Sequence, residues 1–85
     1  MKVIIQPSAK KDLKKLPSPD VAVVIKKLAS IGGDPLHYIE RLKGHTHLWK
    51  LRVGDYRCIL FVNTGLGEVH AMKVGHRKNI YDQIG

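Results

Sequence analysis

The spacing of apolar residues changes along the chain and predicts both strands and helices. Residues 2–6 contain a β-branched run that is typical of a short strand. Over residues 9–16, and again over 21–31, apolar side chains recur at three- and four-residue steps, which is the period of an amphipathic helix. Pro17 separates the two stretches, because proline cannot continue a helical hydrogen-bond ladder. The pattern therefore predicts a strand followed by a helical hairpin.

Residues at the ends of the two helices fit this interpretation. Ser8 is expected to cap the first helix, and Ser18, followed by Pro19 and Asp20, is a typical start for the second. The pair Gly32-Gly33 is expected to close the second helix. Residues 34–46 show neither period and are predicted to be a connector.

From His47 onward the apolar period is two, as in strands that bury one face. The predicted strands cover residues 47–53, 56–63 and 68–75. Gly54 and Asp55 form a two-residue turn with glycine first, which is typical of a type II′ hairpin. We therefore predict one α+β domain over residues 1–85: an N-terminal strand, a helical hairpin and a three-stranded antiparallel meander, in one sheet with the helices on one face.

Charge is the first indication of function. Fifteen Lys and Arg against seven Asp and Glu give a net charge of +8, which is typical of nucleic-acid binders and of proteins held by an acidic partner. The single cysteine, Cys58, excludes an internal disulfide and a Cys-cluster zinc site, and no metal or cofactor is expected. No apolar run approaches the roughly 20 residues of a membrane span, so a cytoplasmic protein is expected.

The hairpin turn predicts a cluster of positive charge. A two-residue loop places Arg52 opposite Arg57, with Lys50 two residues along on the same face. Opposed like charges cost roughly 0.2–1 kcal/mol, and a ligand with several negative charges would relieve the repulsion. The alternative is a solvated basic face with no ligand.

The other notable side chains have simpler interpretations. Face alternation predicts that Trp49 and Tyr56 are core or partner-binding aromatics and that Cys58 is a buried small hydrophobe. The histidines outside the tail lack metal-ligand spacing and are expected on the surface or in loops; they are His37, His45, His47 and His70.

Three segments together resemble the RelE/ParE superfamily of toxins from type II toxin–antitoxin systems. They are Lys43-Gly44, the run LWKLRVGDYR at residues 48–57, and VGHR at residues 74–77 followed by Tyr81. The resemblance covers essentially the whole chain. It implies a four-stranded, antiparallel-type sheet, a cytoplasmic location and an antitoxin encoded alongside.

The same resemblance implies the site residues. In the RelE branch, which cleaves mRNA in the ribosomal A site, the basic positions match Lys50, Arg57 and Arg77, and an aromatic position matches Tyr81. Arg52 stands where that branch has a second lysine, and the interval from Arg77 to Tyr81 is shorter than in its best-known member. The ParE branch, which inhibits DNA gyrase, tends to lack this basic set, so the resemblance favours the RelE branch.

Chemistry gives each of these residues a role. RNA is cleaved when its 2′-OH attacks the adjacent phosphate, which requires a base and stabilisation of the phosphorane charge. The arginines suit the second task, because guanidinium groups bind phosphate oxygens in pairs. The base is expected to be Lys50, whose positive neighbours favour its neutral amine, or His76. Tyr81 is expected to stack on a base.

The expected partners follow from these roles. We expect the ribosome and mRNA as partners, with further RNA contacts from exposed lysines; these are Lys10, Lys11, Lys14, Lys15 and Lys43. We also expect an acidic, partly disordered antitoxin that folds on binding. The alternative functions are a ParE-like gyrase inhibitor and a non-catalytic relative that only binds its antitoxin.

Overall fold

One five-stranded sheet with helices packed on one side forms the core of the protein. The computed structural model describes residues 1–83. In chain order the elements are β1 (Lys2–Ile5), α1 (Pro7–Leu13), α2 (Ser18–Ser30), a 3-10 turn (Ile31–Gly33), α3 (Pro35–Tyr38), β2 (Glu40–Arg41), β3 (Leu48–Val53), β4 (Tyr56–Asn63), β5 (Glu68–His76) and a C-terminal 3-10 turn (Ile80–Gln83). The strand order is β1-β5-β4-β3-β2. The predicted α+β fold is confirmed.

Two details of the sheet differ from the sequence-based expectation. The sheet has five strands instead of the four that the resemblance implied, because the connector contributes the two-residue β2 next to β3. A strand this short is too brief for a period of two to be recognised. The edge strand β1 pairs in parallel with β5, because the helices and strands β2 to β4 separate the two along the chain and allow them to run in the same direction.

The predicted helix caps are also wrong in detail. The helix α1 begins at Pro7 with Gln6 as its N-cap, and α2 begins at Ser18 with Pro17 as its N-cap; neither has a side-chain cap. Proline at the first positions of each helix supplies the favourable φ angle instead. The Ser8 hydroxyl donates to the Met72 carbonyl of β5, so this side chain ties α1 to the sheet.

Met72, which accepts the Ser8 hydrogen bond, lies at an irregularity in the sheet. Ile59 pairs with Lys73 but Leu60 pairs with Ala71, which leaves Met72 as the extra residue of a β-bulge. The Asp12 carboxylate of α1 accepts a 3.0 Å hydrogen bond from the Val74 backbone N–H beside this bulge. The bulge therefore keeps its polar groups satisfied through α1 rather than through the neighbouring strand.

The main core lies between the helices and one face of the sheet. Ala9, Leu13, Val24 and Leu28 of the helices pack against alternate residues of β3, β4 and β5. Those strand residues are Leu51, Val53, Cys58, Leu60, Val69, Ala71 and Val74. Trp49 and Tyr56 are half-buried beside them, and Cys58 is fully buried, as predicted. Burial raises the pKa of the Cys58 thiol from 9.0 to about 12, because the thiolate would lose its hydration.

A second, smaller core lies on the other side of the sheet. Ile80 of the C-terminal turn packs with Leu42 and Ile59, and Leu48 lines the edge of this cluster. Gly75 makes the packing possible, because a Cβ at that position would lie 2.9 Å from Ile80 Cδ1. The glycine thus allows the C-terminal turn to fold back across β5 and β4.

Candidate functional site

The side of the sheet that faces away from α1 and α2, here called the open face, carries the predicted cations. Arg52 lies directly opposite Arg57, and Val53 lies opposite Tyr56, which confirms the predicted register. Gly54 has a φ of +58° and Asp55 does not have a positive φ, as a type II′ turn requires. Lys50 pairs with Ile59 on the same face.

The open face also contains an acidic side chain, Glu40, which was not predicted from the sequence to be part of the site. It pairs with Lys50 across β2 and β3, and its carboxylate lies 3.7 Å from Lys50 Nζ and 3.8 Å from Arg52 Nε. Both ion pairs are partly exposed, so each contributes little to stability and is easily exchanged for another anion. Lys50 is thus the ion-pair partner of a carboxylate and not a free amine, which argues against the lysine as the base.

Arg57 is held at the hairpin end of the open face. Its Nη1 donates to the carbonyl of Gly54 at 2.8 Å and to that of Tyr56 at 2.7 Å. These bonds use one nitrogen of the guanidinium fork. Because a guanidinium has five N–H donors, the others remain for a ligand.

The C-terminal segment brings two further predicted residues to the same region. The Arg77 backbone N–H donates to Asp55 O at 2.8 Å, and its Nε lies 3.7 Å from Asp55 Oδ1, so Arg77 lies beside the hairpin turn. Ile80 anchors the C-terminal turn, and the next residue, Tyr81, places its ring centroid 5.9 Å from Lys50 Nζ. This is a cation–π distance.

His76 does not join this group. It is the direct partner of Tyr56 on the helix-facing side, where the two rings meet edge to face at 6.1 Å. The Tyr56 hydroxyl in turn donates to Asp20 at 2.7 Å, and this hydrogen bond raises the pKa of the phenol. The structure therefore places His76 across the sheet from Lys50 and Arg57. His76 lies at the end of β5, where a shift of one residue in the strand register moves a side chain to the other face of the sheet. The sequence pattern did not define the register there.

The lysines predicted to contact RNA are divided between two places. Lys10, Lys11, Lys14 and Lys15 are exposed on or just after α1, which packs against β5 on the helix-facing side. Lys43 is exposed in the turn between β2 and β3, next to Gly44 with its φ of +85°. None of the α1 lysines shares the open face with Lys50.

Two negative observations concern the part of the chain that the structure describes. Within residues 1–83, no three His, Cys, Asp or Glu side chains converge to hold a metal ion. No helix in the same range is long and apolar enough to cross a membrane.

Comparison with known proteins identifies the family. The family described as "ParE toxin of type II toxin-antitoxin system, parDE" matches residues 3–81. The chain belongs to this toxin family. It is a toxin of a type II toxin–antitoxin system, of the RelE/ParE superfamily that the sequence analysis identified. A search of curated proteins found no match.

Solved structures of RelE toxins share the fold of this ParE-family toxin. The RelBE2 toxin–antitoxin complex from Mycobacterium tuberculosis matches with a TM-score of 0.83 and 26% identity, over 89% of this chain and 96% of that one. The RelB-RelE complex from Methanococcus jannaschii matches with a TM-score of 0.73 and 26% identity, over 93% and 95%. The isolated E. coli RelE toxin, at 23% identity and a TM-score of 0.76, covers 98% of this chain and 93% of its own, and shows the common fold.

Proposed function

We propose that this ParE-family toxin is a ribosome-dependent endoribonuclease that cleaves translated mRNA in the ribosomal A site. The observation that carries the proposal is the open face itself. It holds Lys50, Arg52 and Arg57 together, with the Tyr81 ring against the lysine and the Glu40 carboxylate among the cations. A phosphodiester needs such a combination of fixed positive charge and a proton acceptor to be cleaved.

The roles follow from the contacts of each group. Glu40 accepts the proton of the RNA 2′-OH, and the 2′ oxygen attacks phosphorus. Arg52 and Arg57 stabilise the charge that develops on the phosphorane oxygens. The bond from phosphorus to the 5′ oxygen breaks, Lys50 protonates that oxygen, and a 2′,3′-cyclic phosphate remains. Arg77 binds a neighbouring phosphate, and Tyr81 stacks on a base beside Lys50.

This assignment changes the choice of base. Lys50 and His76 were the bases expected from the sequence, but Lys50 is paired with a carboxylate and His76 lies on the helix-facing side. Glu40 is 58% exposed in its side chain and thus accessible to a substrate. Phosphate entering between Lys50 and Arg52 would displace the carboxylate from the cations and free it to accept a proton.

The ribosome supplies what the open face lacks. In-line attack requires the 2′ oxygen, the phosphorus and the leaving oxygen to be aligned, and alignment accounts for a large part of many rate enhancements. The open face is a shallow sheet surface with its cations at one end, which binds phosphate without bending the strand. We therefore expect slow cleavage of free RNA and fast cleavage of message in a translating ribosome.

Primer extension on translated mRNA after brief induction tests the proposal. The parent should produce cuts in phase with codons, and Glu40→Gln should reduce them by about 10²-fold or more, because the amide cannot accept the proton. Asp34→Asn is the matched control, since Asp34 is an exposed acid outside the site and makes no side-chain cap. Uncut message in cells arrested by the parent would refute the proposal.

A second candidate is a gyrase inhibitor, which the matched ParE family favours. In that case expression would leave the message intact and produce gyrase-dependent DNA breaks. A non-catalytic relative would produce neither, and would still bind its antitoxin. The same induction experiment separates the three cases when DNA breaks are scored alongside primer extension.

We further propose that the toxin is held by an acidic, partly disordered antitoxin that folds on binding. The relatives from M. tuberculosis and M. jannaschii were solved as toxin–antitoxin complexes. A groove of about 360 Å³ between α2 and the β3–β4 hairpin is lined by Val23, Lys26, Lys27 and Arg52, among others. Val23 is 58% exposed, so the groove joins uncovered apolar surface to positive charge.

Co-purification with the neighbouring small open reading frame tests this partner. At about 0.5 M salt, where surface charges are largely screened, the complex should persist because apolar burial holds it. Val23→Glu should weaken the complex, and Leu66→Glu, at an exposed apolar position in the turn between β4 and β5 and away from the groove, is the control. Complete dissociation at that salt would refute folding on binding.

A further inference from the structure

Three aromatic rings lie side by side on the open face, next to the cluster of cations. The ring centroids of His47 and Phe61 are 6.4 Å apart, and those of Phe61 and His70 are 6.1 Å apart. The two interplanar angles are 59° and 60°. Phe61 of β4 lies between Leu48 of β3, the residue that follows His47, and His70 of β5, so the row runs from the start of β3 across β4 to β5. We call these three residues the aromatic row.

The row does not belong to the cores found in the described part of the chain. Phe61 is only half-buried and packs in neither of the two hydrophobic clusters of residues 1–83. His70 is also half-buried, and His47 is exposed. Both α1 and α2 pack on the other side of the sheet. The only phenylalanine of the chain thus lies half-buried on the open face, flanked by two histidine rings and not by a hydrophobic core.

Hydrogen bonds fix the orientation of the last ring. Gln6 Nε2 lies 2.7 Å from His70 Nδ1, and His70 Nε2 lies 3.1 Å from Glu68 Oε1. An amide nitrogen only donates, so Nδ1 accepts and the Nε2 proton is donated to the carboxylate. The ring is held from both sides before any ligand arrives, which reduces the entropy lost on binding.

The row is also close to the cations. Phe61 is two residues from Ile59 along β4, and Ile59 is the partner of Lys50. Two residues of a strand span roughly 7 Å, so a nucleotide whose phosphate lies at Lys50 has its neighbour's base near Phe61. The separation of about 6 Å between rings exceeds the roughly 3.4 Å between stacked bases. Each ring would therefore take a base that is splayed from its neighbours.

We propose that His47, Phe61 and His70 form a stacking platform for the bases of single-stranded RNA whose phosphates bind Lys50, Arg52 and Arg57. The proposal rests on the proposed RNA cleavage and extends the binding site along the strand. Every base has a π face, so such a platform holds RNA with little sequence preference.

Binding of two labelled hexanucleotides to the full-length toxin tests the platform. One is an adenine hexamer with 2′-O-methyl riboses, which cannot be cleaved, and the other has the same backbone without bases. Phe61→Leu keeps the apolar volume and removes the ring, so it should weaken binding of the adenine hexamer by about fivefold to 100-fold. It should leave the abasic hexamer and the salt dependence unchanged, and Phe61→Tyr should bind like the parent.

Arg52→Gln, which removes a cation and leaves the rings in place, should give a different binding pattern from Phe61→Leu. It should weaken both hexamers and lower the slope of log affinity against log salt by about one. His47→Ala, at an exposed position that should not affect folding, gives a second test of the row and should weaken the adenine hexamer only. Equal binding of the adenine hexamer by the parent, Phe61→Leu and His47→Ala would overturn the platform, as would equal losses on both hexamers.

These outcomes are separate from those of the proposed function. The hexamer measurement needs no cleavage, so it decides the platform even if the toxin leaves message uncut. Replacing Phe61 by photoreactive p-benzoylphenylalanine then identifies the RNA in translating ribosomes. A cross-link to the A-site codon assigns the platform to message, a cross-link to ribosomal RNA assigns it to the ribosome, and the absence of any RNA cross-link overturns it.

Discussion

The two faces of the sheet use alternate residues of the same strands but are held together differently. On the helix-facing side, Leu51, Cys58 and Leu60 are buried against helices that are close in sequence to one another. On the open face, Lys50 meets both Glu40 of the connector and Tyr81 of the C-terminal turn. The first face is specified by local alternation. The second is assembled from segments that are distant in sequence, and there charge and aromatic rings surround only a small apolar cluster.

The largest expected difference between the faces is in stability. Leu60 is fully buried in the main core, so Leu60→Ala should lower the free energy of unfolding by about 2–5 kcal/mol through lost burial and a cavity. Urea denaturation monitored by Trp49 fluorescence measures this loss. Arg52→Ala on the open face, whose side chain is 64% exposed, should change stability by less than about 1 kcal/mol. Similar losses in both variants would contradict the division.

For activity, in contrast to stability, the larger effect should come from the open face. Arg57→Ala should lower the rate of message cleavage by about 10²–10³-fold, because a fixed donor to the phosphorane is lost. Because Arg57 also donates two hydrogen bonds to turn carbonyls, Arg57→Ala should lower the free energy of unfolding by about 1–3 kcal/mol as well. Arg57→Lys keeps the charge without the fork and should retain part of the activity. Primer extension with purified ribosomes measures all three proteins, and an active Arg57→Ala would contradict the assignment.

A smaller effect should follow from the C-terminal turn. In Gly75→Ala the new Cβ would meet Ile80 at 2.9 Å, so the C-terminal turn must shift at a cost of about 1–3 kcal/mol. The Tyr81 ring should then lose its contact with the Lys50 ammonium. Cleavage should fall although no residue assigned to chemistry has changed. Gly65→Ala is the control, because the added methyl group makes only an ordinary contact at 3.5 Å. Full activity of Gly75→Ala would show that the turn does not position Tyr81.

The smallest effect at neutral pH concerns Cys58, whose contribution to stability changes only in alkaline solution. Its pKa is raised from 9.0 to about 12 by burial, so between these values the unfolded thiol is ionised and the folded thiol is not. Stability should be fully present below pH 9 and fall by up to about 1.4 kcal/mol per pH unit as the pH rises toward 12. Cys58→Ala should lack this part of the slope. Urea midpoints of both proteins from pH 8 to 11 measure the difference, and parallel curves would contradict it.

Sequence alone predicted the helix-facing side well. The period-two pattern of Leu51, Val53, Cys58 and Leu60 identified the buried positions, and the glycine-first turn fixed the pairing of Arg52 with Arg57. Both signals are local, since they depend on residues within one hairpin. The helical hairpin was likewise recognisable from its own spacing and from Pro17.

The open face was predicted only in part, for a physical reason. The cations of the hairpin followed from the register, but Glu40 reaches them through β2, whose two residues carry no periodic signal. The approach of Ile80 to Gly75 is a contact between segments that no spacing rule connects, although a glycine within a strand is a sign of close approach. His76 was expected near the cations but lies on the helix-facing side. The face of a strand-end residue is set by its pairing in three dimensions, which the sequence does not show.

The parallel pairing of β1 with β5 also has a consequence for the order of folding. Lys2 and Ile5 find their partners at Glu68 and Ala71, so the edge of the sheet cannot close until almost the whole meander has been synthesised. Contacts this distant along the chain close slowly, because a long loop must be ordered first. A nascent toxin therefore emerges from its own ribosome with the sheet open at β1. During that interval the backbone groups of β5 that later pair with β1 are unpaired, so an incoming antitoxin strand would find a free sheet edge there.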